Sequence, residues 1–137
     1  MATATQIEVF PWNQSYSVGI EQIDTQHKVL VRLINELHAS MAAGQGKQAL
    51  GKILDELVRY TEVHFTFEEN MLRAKGYAKL ASHHDVHRKL TGEVVELRNK
   101  YRANKLTLTL DVMKFLKGWL GDHIMVHDQA YAREIKK

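Results

Sequence analysis

Apolar residues recur every three or four positions in four long stretches of this chain, and that periodicity predicts four amphipathic helices. Gly44 and Gly46 interrupt the pattern after the first stretch, and Gly76 does so after the second, because glycine accepts the positive φ common at helix ends. Links this short join antiparallel neighbours. The sequence therefore predicts an all-α fold, an up-down-up-down antiparallel four-helix bundle. The predicted helices span about residues 20–43, 47–75, 80–103 and 107–136.

The first 19 residues do not follow the helical pattern, because Pro11, Asn13 and Gly19 interrupt it. We expect residues 1–19 to form a non-helical N-terminal arm. Its aromatic side chains would pack the arm back onto the bundle, and they are Phe10, Trp12 and Tyr16. A length of 137 residues suits one domain with one core, so arm and bundle are predicted to form a single domain, 1–137.

Composition excludes several classes of protein. The chain has no cysteine, which excludes disulfide scaffolds, thiolate metal sites, iron–sulfur clusters and cysteine nucleophiles. The net charge is +3 with the basic residues scattered, so no nucleic-acid partner is expected. No apolar run reaches the roughly 20 residues of a membrane span, and no signal peptide is evident at the start. We therefore expect a cytoplasmic protein.

Histidines lie on the apolar stripe of every predicted helix, and five of the eight in the chain do so. Side chains four residues apart on a helix are neighbours on one face, so an i,i+4 pair can bind one metal site. One such pair joins a histidine to a glutamate on the second helix, and another joins two histidines on the third. The inward set is His27, His64, Glu68, His83, His87 and His123.

A single histidine on an apolar face is usually a hydrogen-bonded core residue. Five buried imidazoles and a carboxylate without partners would be very costly, so the set favours a metal centre. Structural zinc takes four ligands, too few for this set, and calcium and magnesium prefer oxygen shells. Imidazole with carboxylate suits iron or another first-row transition metal. Two ions bridged by carboxylates would use every ligand and leave one coordination position open for a small molecule.

Motifs along nearly the whole chain resemble the hemerythrin family, in its single-domain bacterial form. His64-Phe65-Thr66-Phe67-Glu68-Glu69 matches the family's H-F-x-x-E-E, and the segment 119–128 matches W-L-x-x-H-I-x-x-x-D. The other matching motifs are Trp12, Val18-Gly19-Ile20, Ile23-Asp24-Thr25-Gln26-His27, and Tyr77 followed by His83-x-x-x-His87. The chain departs from the family at Ala78, where proline is common, and this position belongs to the loop before the third helix.

The resemblance implies reversible binding of O₂ at a non-haem di-iron centre. The two Fe ions (Fe²⁺/Fe³⁺) would be bridged by two carboxylates and an oxo or hydroxo group, and the less saturated iron would take O₂. O₂ would accept two electrons and leave by the reverse steps, so that nothing is turned over. The implied ligands are His83, His87 and His123 for one iron, His27 and His64 for the other, and Glu68 and Asp128 as bridges.

An apolar lining around the open position suits a carrier, since it offers no acid to protonate and expel bound oxygen. The candidates for that lining are Leu30, Phe65, Trp119, Ile124 and Met125. Each of these is also an ordinary core residue type.

The spacing from His123 to Asp128 is unusual for a shared site. Five residues correspond to about 140° around an ideal α-helix, and spacing alone would favour His127 at i+4. The resemblance selects Asp128. We therefore predict a local π-type widening, which brings i and i+5 onto one face, or a tilted Asp128 side chain. His127, together with His38 and His84, is expected to lie outside the metal ligands.

Two other functions compete with an oxygen carrier, store or delivery protein. The first is a di-iron enzyme that handles O₂, peroxide or nitric oxide. Oxidase-type bundles use paired Glu-x-x-His motifs, whereas Glu62-Val63-His64 here has the shorter Glu-x-His spacing and the chain contains no Glu-x-x-His, so this class is disfavoured. The second is an oxygen- or redox-sensing module. The expected partners are O₂ and an oxygen-consuming enzyme as its recipient.

Overall fold

The structure, a computed structural model, describes residues 9–135 and is helical throughout its main body. No strand is present in this part of the chain, which confirms the predicted all-α class. The elements are a 3-10 turn (Gln14–Tyr16), α1 (Glu21–Ala42), α2 (Lys47–Ala74), α3 (Leu80–Arg102), α4 (Leu110–Asp122), a π-helix (His123–Asp128) and α5 (Gln129–Ile135). We call His123–Asp128 the π segment. Helix α1 packs against α2 and α4, and α2 packs against α3, so the four-helix bundle is confirmed.

Each of the first three helices is followed by a glycine or an asparagine with positive φ. Gly44 has φ 74°, Gly76 has φ 68° and Asn104 has φ 61°. At each end the following amide donates back across the last turn, as in the bond of 3.0 Å from Tyr77 N–H to the Leu72 carbonyl. This pairing satisfies carbonyls that the helix itself leaves unpaired, and it stops the helix there. The observed bounds of α1 to α3 lie within one residue of those predicted.

The fourth helix starts later than predicted, at Leu110 and not at residue 107. Thr109 is extended (φ −132°), and its hydroxyl accepts the Val112 N–H at 3.3 Å. A threonine in this position caps the helix and fixes its first residue. The prediction was wrong because Thr107 and Thr109 are both plausible caps in the sequence. Its predicted last residue, 136, lies outside the described part of the chain.

The N-terminal arm packs onto the bundle as predicted, and residues 1–8 of it lie outside the described part. Phe10 is fully buried, and both its backbone N–H and its carbonyl pair with the Asn35 side chain at 2.8 Å. The ring of Tyr16 lies 5.3 Å from that of Phe10 and 5.5 Å from that of Trp12. The arm is not wholly non-helical, since a 3-10 turn capped by the Asn13 side chain forms at Gln14–Tyr16.

Two apolar clusters occupy the two ends of the interior. The larger joins α1, α2, α3 and α4 around residues such as Leu30 and Leu116, and the smaller includes Ile23 and Tyr131. His27 lies on α1 between Ile23 of the small cluster and Leu30 of the large one. The inward histidines thus occupy a polar layer held between two apolar ones. Within residues 9–135, the helices lack the length and apolar character needed to span a bilayer.

Candidate metal centre

All seven predicted ligand side chains are buried and converge in the middle of the bundle. Their exposed fraction ranges from 0% to 4%, so the structure removes every one of them from water. They come from α1, α2, α3 and the π segment, and they form two adjoining groups that share two carboxylates. The side chains are His27, His64, Glu68, His83, His87, His123 and Asp128.

The larger group, which we call the three-histidine half, contains His83, His87 and His123 with one oxygen of each carboxylate. Glu68 Oε1 lies 2.9 Å from the Nε2 atoms of both His83 and His87. Asp128 Oδ1 lies 3.1 Å from His123 Nε2 and 3.3 Å from His83 Nε2. The Nε2 atoms of His87 and His123 are 3.2 Å apart. Five ligand atoms therefore surround one small space.

The smaller group, the two-histidine half, contains His27 and His64 with the other oxygen of each carboxylate. His27 Nε2 lies 3.0 Å from Asp128 Oδ2 and 3.7 Å from Glu68 Oε2. His64 Nε2 lies 3.5 Å from Glu68 Oε2. Glu68 and Asp128 thus each present one oxygen to each half, which is the arrangement of a carboxylate that bridges two cations.

The donor geometry fits a pair of transition-metal ions. First-row metals bind nitrogen and oxygen at about 2.1 Å, which places neighbouring ligands of an octahedral shell about 3 Å apart. The separations of 2.9 to 3.3 Å in the three-histidine half match that value. In each group the ligand atoms all lie within 4.8 Å of one another.

Unpaired polar atoms in the same place also point to a cation. Within the described residues, six buried side-chain atoms lack a hydrogen bond of good geometry although some lie close to one another, and all six belong to these ligand residues. An unsatisfied buried polar group costs about 1–3 kcal/mol, so a fold that keeps several together needs a compensating ligand. The atoms are His27 Nδ1 and Nε2, His64 Nε2, His123 Nδ1, and Asp128 Oδ1 and Oδ2.

The π segment explains how Asp128 reaches the site. Residues His123 to Asp128 form a π-helix, in which the Gln129 N–H donates to the Ile124 carbonyl five residues before it. The wider turn puts residues five apart on one face, so His123 and Asp128 both point inward. The predicted widening is confirmed. His127, the alternative at i+4, is only half-buried and belongs to neither half.

The buried acids and histidines of the site shift one another's pKa values. Burial would raise the pKa of Glu68 and of Asp128, but the surrounding histidines hold both well below their usual range. Burial would lower the pKa of His27 and of His83, but Asp128 and Glu68 raise each to about 9. Protons on these two imidazoles therefore balance the two carboxylates, and binding of a cation would release them. Burial lowers the pKa of His64 to about 4, so that imidazole is neutral.

Three residues that support the ligands were given no role by the sequence reasoning. The side-chain oxygen Oε1 of Gln26 lies 2.6 Å from His64 Nδ1, and Glu69 Oε2 lies 2.7 Å from His87 Nδ1. The buried Tyr131 hydroxyl donates to Glu68 Oε2 at 2.9 Å. Gln26 and Glu69 stand inside the quoted motifs, directly beside ligands, which was the available signal. Tyr131 lies three residues after Asp128 on the same helical face.

The five predicted lining residues divide into three kinds. Phe65 contacts the ligands directly, since its ring stacks on His87 with centroids 3.8 Å apart and planes 2° apart. Leu30, Trp119 and Ile124 are buried in the large apolar cluster, and their place in an oxygen pocket stays a prediction. Met125 is 44% exposed, so its assignment to a buried lining was wrong. Met125 follows His123 by two residues, close to half a turn of the helix, so it lies on the outward face.

The remaining histidines lie outside both groups. His38 is half-buried on α1, and His84 on α3 is half-exposed with its Nδ1 atom 2.6 Å from Glu69 Oε1. Burial and the neighbouring histidines lower the pKa of His127, which favours its neutral form.

Comparison with known proteins gives one consistent result. Residues 18–135 match the hemerythrin HHE cation binding domain family. The chain is 35% identical to a bacteriohemerythrin of Stenotrophomonas maltophilia, over 91% of this chain and 80% of that protein. It is 37% identical to a bacteriohemerythrin of Methylococcus capsulatus, over 85% and 88% of the two chains. A crystal structure of wild-type hemerythrin superposes with a TM-score of 0.85 at 32% identity, over 94% of this chain and 99% of that one.

Proposed function

This chain belongs to the hemerythrin family, and we propose that it carries, stores or delivers O₂, which it binds reversibly at a non-haem di-iron centre. One observation carries the proposal. Two buried carboxylates, Glu68 and Asp128, each offer one oxygen to the three-histidine half and the other oxygen to the two-histidine half.

The ligand count explains where O₂ would bind. The three-histidine half would hold one iron through three nitrogens and two oxygens, and the two-histidine half would hold the other through two nitrogens and two oxygens. The two-histidine half thus offers one ligand fewer than the three-histidine half, so O₂ would bind beside His27 and His64.

When bound, the iron pair would supply the two electrons that O₂ takes up and later returns. Two buried hydroxyl groups near the ligands already donate their protons to other protein atoms. The Thr61 hydroxyl, three residues before His64, donates to the Leu57 carbonyl at 2.7 Å. The Tyr131 hydroxyl donates to Glu68, and burial among carboxylates raises the pKa of Tyr131. A site whose buried hydroxyls are already committed does not readily pass a proton to bound oxygen, which favours release over turnover.

Rigid placement of the ligands supports the same conclusion. Phe65 lies against His87 and is 5.7 Å, between ring centroids, from His64, so one apolar ring borders both halves. The apolar clusters on either side restrict access of water to the metal ligands.

From the sequence we also propose that an oxygen-consuming enzyme receives the O₂ and that the protein is cytoplasmic.

The test is to load the metal-free protein with Fe²⁺ under argon, then cycle it between O₂ and argon. We expect two irons per chain and a visible charge-transfer band that appears with O₂ and disappears under argon over repeated cycles. An added reductant should not be consumed. Steady consumption of O₂ and reductant would instead identify an oxidase or peroxidase, and the carrier proposal would be wrong.

A further inference from the structure

A chain of three side chains leads from the surface into the three-histidine half. His84 Nδ1 lies 2.6 Å from Glu69 Oε1, and Glu69 Oε2 lies 2.7 Å from His87 Nδ1. The exposed fraction of the side chains falls from 50% for His84 to 14% for Glu69 and 2% for His87. The contacts connect α2, which carries Glu69, to α3, which carries both histidines.

The hydrogen-bond chemistry fixes the tautomer of His87. An ionised carboxylate only accepts hydrogen bonds, so both histidines donate to Glu69 from Nδ1. The proton on Nδ1 of His87 leaves the lone pair on Nε2, which is the atom that faces Glu68 and His123. His87 is thereby presented in the form that binds a metal ion.

Glu69 itself is held at both oxygens. His84 occupies Oε1 while His87 occupies Oε2, so rotation of the carboxylate would break one contact or the other. A carboxylate on a free glutamate side chain would lose conformational freedom on pairing with His87, and His84 removes part of that freedom in advance. The surface histidine can therefore act on the buried one through Glu69.

The other inward histidines have different support. The neutral Gln26 side chain accepts from His64 Nδ1 at 2.6 Å, whereas Nδ1 of His27 and of His123 makes no hydrogen bond. His87 differs from these three histidines, because its Nδ1 atom contacts a carboxylate. A carboxylate holds the Nδ1 proton and the ring orientation of an imidazole more strongly than a neutral amide does, and such outer partners change metal affinity by about 10- to 100-fold.

We propose that Glu69 is a positioning residue for the three-histidine half, and that His84 strengthens metal binding there by holding Glu69 in place. This inference rests on the proposed di-iron function. It assigns a different kind of supporting residue to each half. The anionic Glu69 holds His87 in the three-histidine half, whereas the neutral Gln26 holds His64 in the two-histidine half.

The test measures how fast Fe²⁺ leaves the protein. Wild type and variants are loaded with Fe²⁺ under argon, mixed with an excess of a ferrous chelator, and followed by the colour of the chelate. Glu69→Ala should accelerate release of one of the two ions by about 10- to 100-fold. Glu69→Gln, which keeps an acceptor but not the charge, should give an intermediate rate. Gln26→Ala should accelerate release of the other ion.

His84 is tested by non-additivity. His84→Ala should accelerate release of the same ion as Glu69→Ala, by a smaller factor, and should have no further effect in the Glu69→Ala background. Glu62→Ala, on the exposed face of α2, and His38→Ala on α1 are the matched controls and should release iron at the wild-type rate. Circular dichroism and thermal unfolding of each variant identify loss of fold.

The outcomes separate this inference from the proposed function. Fewer than two Fe²⁺ bound by the wild-type protein would overturn both. Two bound ions with wild-type release rates in folded Glu69→Ala and Glu69→Gln would overturn the inference alone. Equal acceleration by His84→Ala with and without Glu69 would show that His84 does not act through Glu69.

Discussion

The two halves of the candidate metal centre share Glu68 and Asp128, yet they differ in the number of their ligand atoms and in how closely those atoms approach one another. In the three-histidine half, five ligand atoms approach one another to between 2.9 and 3.3 Å. In the two-histidine half, four ligand atoms are spread more widely, at 3.0 to 3.7 Å. One bundle thus gathers five candidate ligand atoms in one half and four in the other around the same pair of carboxylates. The additional ligand atom of the three-histidine half comes from His123, which lies in the π segment.

The largest effect should come from removing what the halves share. Glu68→Ala takes one oxygen from each half and leaves His83 and His87 without their 2.9 Å contacts. We expect the protein to lose both tightly bound irons, measured as the iron-to-protein ratio after desalting under argon. Glu62→Ala, six residues earlier on the same helix, should retain two. A Glu68→Ala protein that keeps two irons would show that the halves do not depend on a common bridge.

Removing a ligand of one half should affect that half more than the other. His27→Ala leaves the two-histidine half with a single histidine, so we expect one retained iron and no oxygenated band. The three-histidine half keeps all its ligands in that variant. Loss of both irons from His27→Ala, as expected for Glu68→Ala, would contradict the distinction between the two-histidine half and the three-histidine half.

The pH dependence of the metal-free protein should expose the charges that both halves hold. Burial would lower the pKa of His27 and of His83, but Asp128 and Glu68 raise it from 6.5 in the unfolded chain to about 9 in the folded one. The stability that these two protonated histidines give the folded protein is therefore complete below pH 6.5 and is lost as pH rises through 9. We expect the free energy of unfolding to fall between pH 6.5 and 9 by on the order of a few kcal/mol. Denaturant unfolding measures this, and iron-loaded protein should lack the effect.

The smallest effect should come from a contact on one oxygen of the shared glutamate. Tyr131→Phe removes the 2.9 Å hydrogen bond to Glu68 Oε2, the oxygen that faces the two-histidine half. We expect about 1 kcal/mol of lost stability in the metal-free protein. In the loaded protein the oxygenated band should shift while both irons stay bound. Tyr60→Phe, at a half-buried position on α2, is the control, and an equal change there would remove the special role of Tyr131.

The helices could be predicted from sequence because their apolar spacing and their breaks agree. Gly44, Gly76 and Asn104 adopt the positive φ that ends a helix, so the bounds of α1 to α3 follow closely. The start of α4 could not be settled in this way, since Thr107 and Thr109 are chemically alike. Only the fold decides which of them caps the helix.

Six of the seven ligand candidates follow from helical spacing, whereas Asp128 does not. Its position depends on the π segment, whose wider turn leaves no sign in a regular 3.6-residue pattern. The supporting residues are harder still to predict. Glu69 and Tyr131 act on partners carried by other helices, so their roles appear only when the helices are packed together.

A bridged pair of ions is tested most directly by anomalous diffraction at the iron edge, from crystals of protein loaded with Fe²⁺ under argon. We predict two iron peaks per chain, one among the Nε2 atoms of the three-histidine half and one beside those of His27 and His64. Density for Glu68 and Asp128 should connect both peaks. A single peak, or ligand side chains that point away from one another, would contradict a bridged pair of ions.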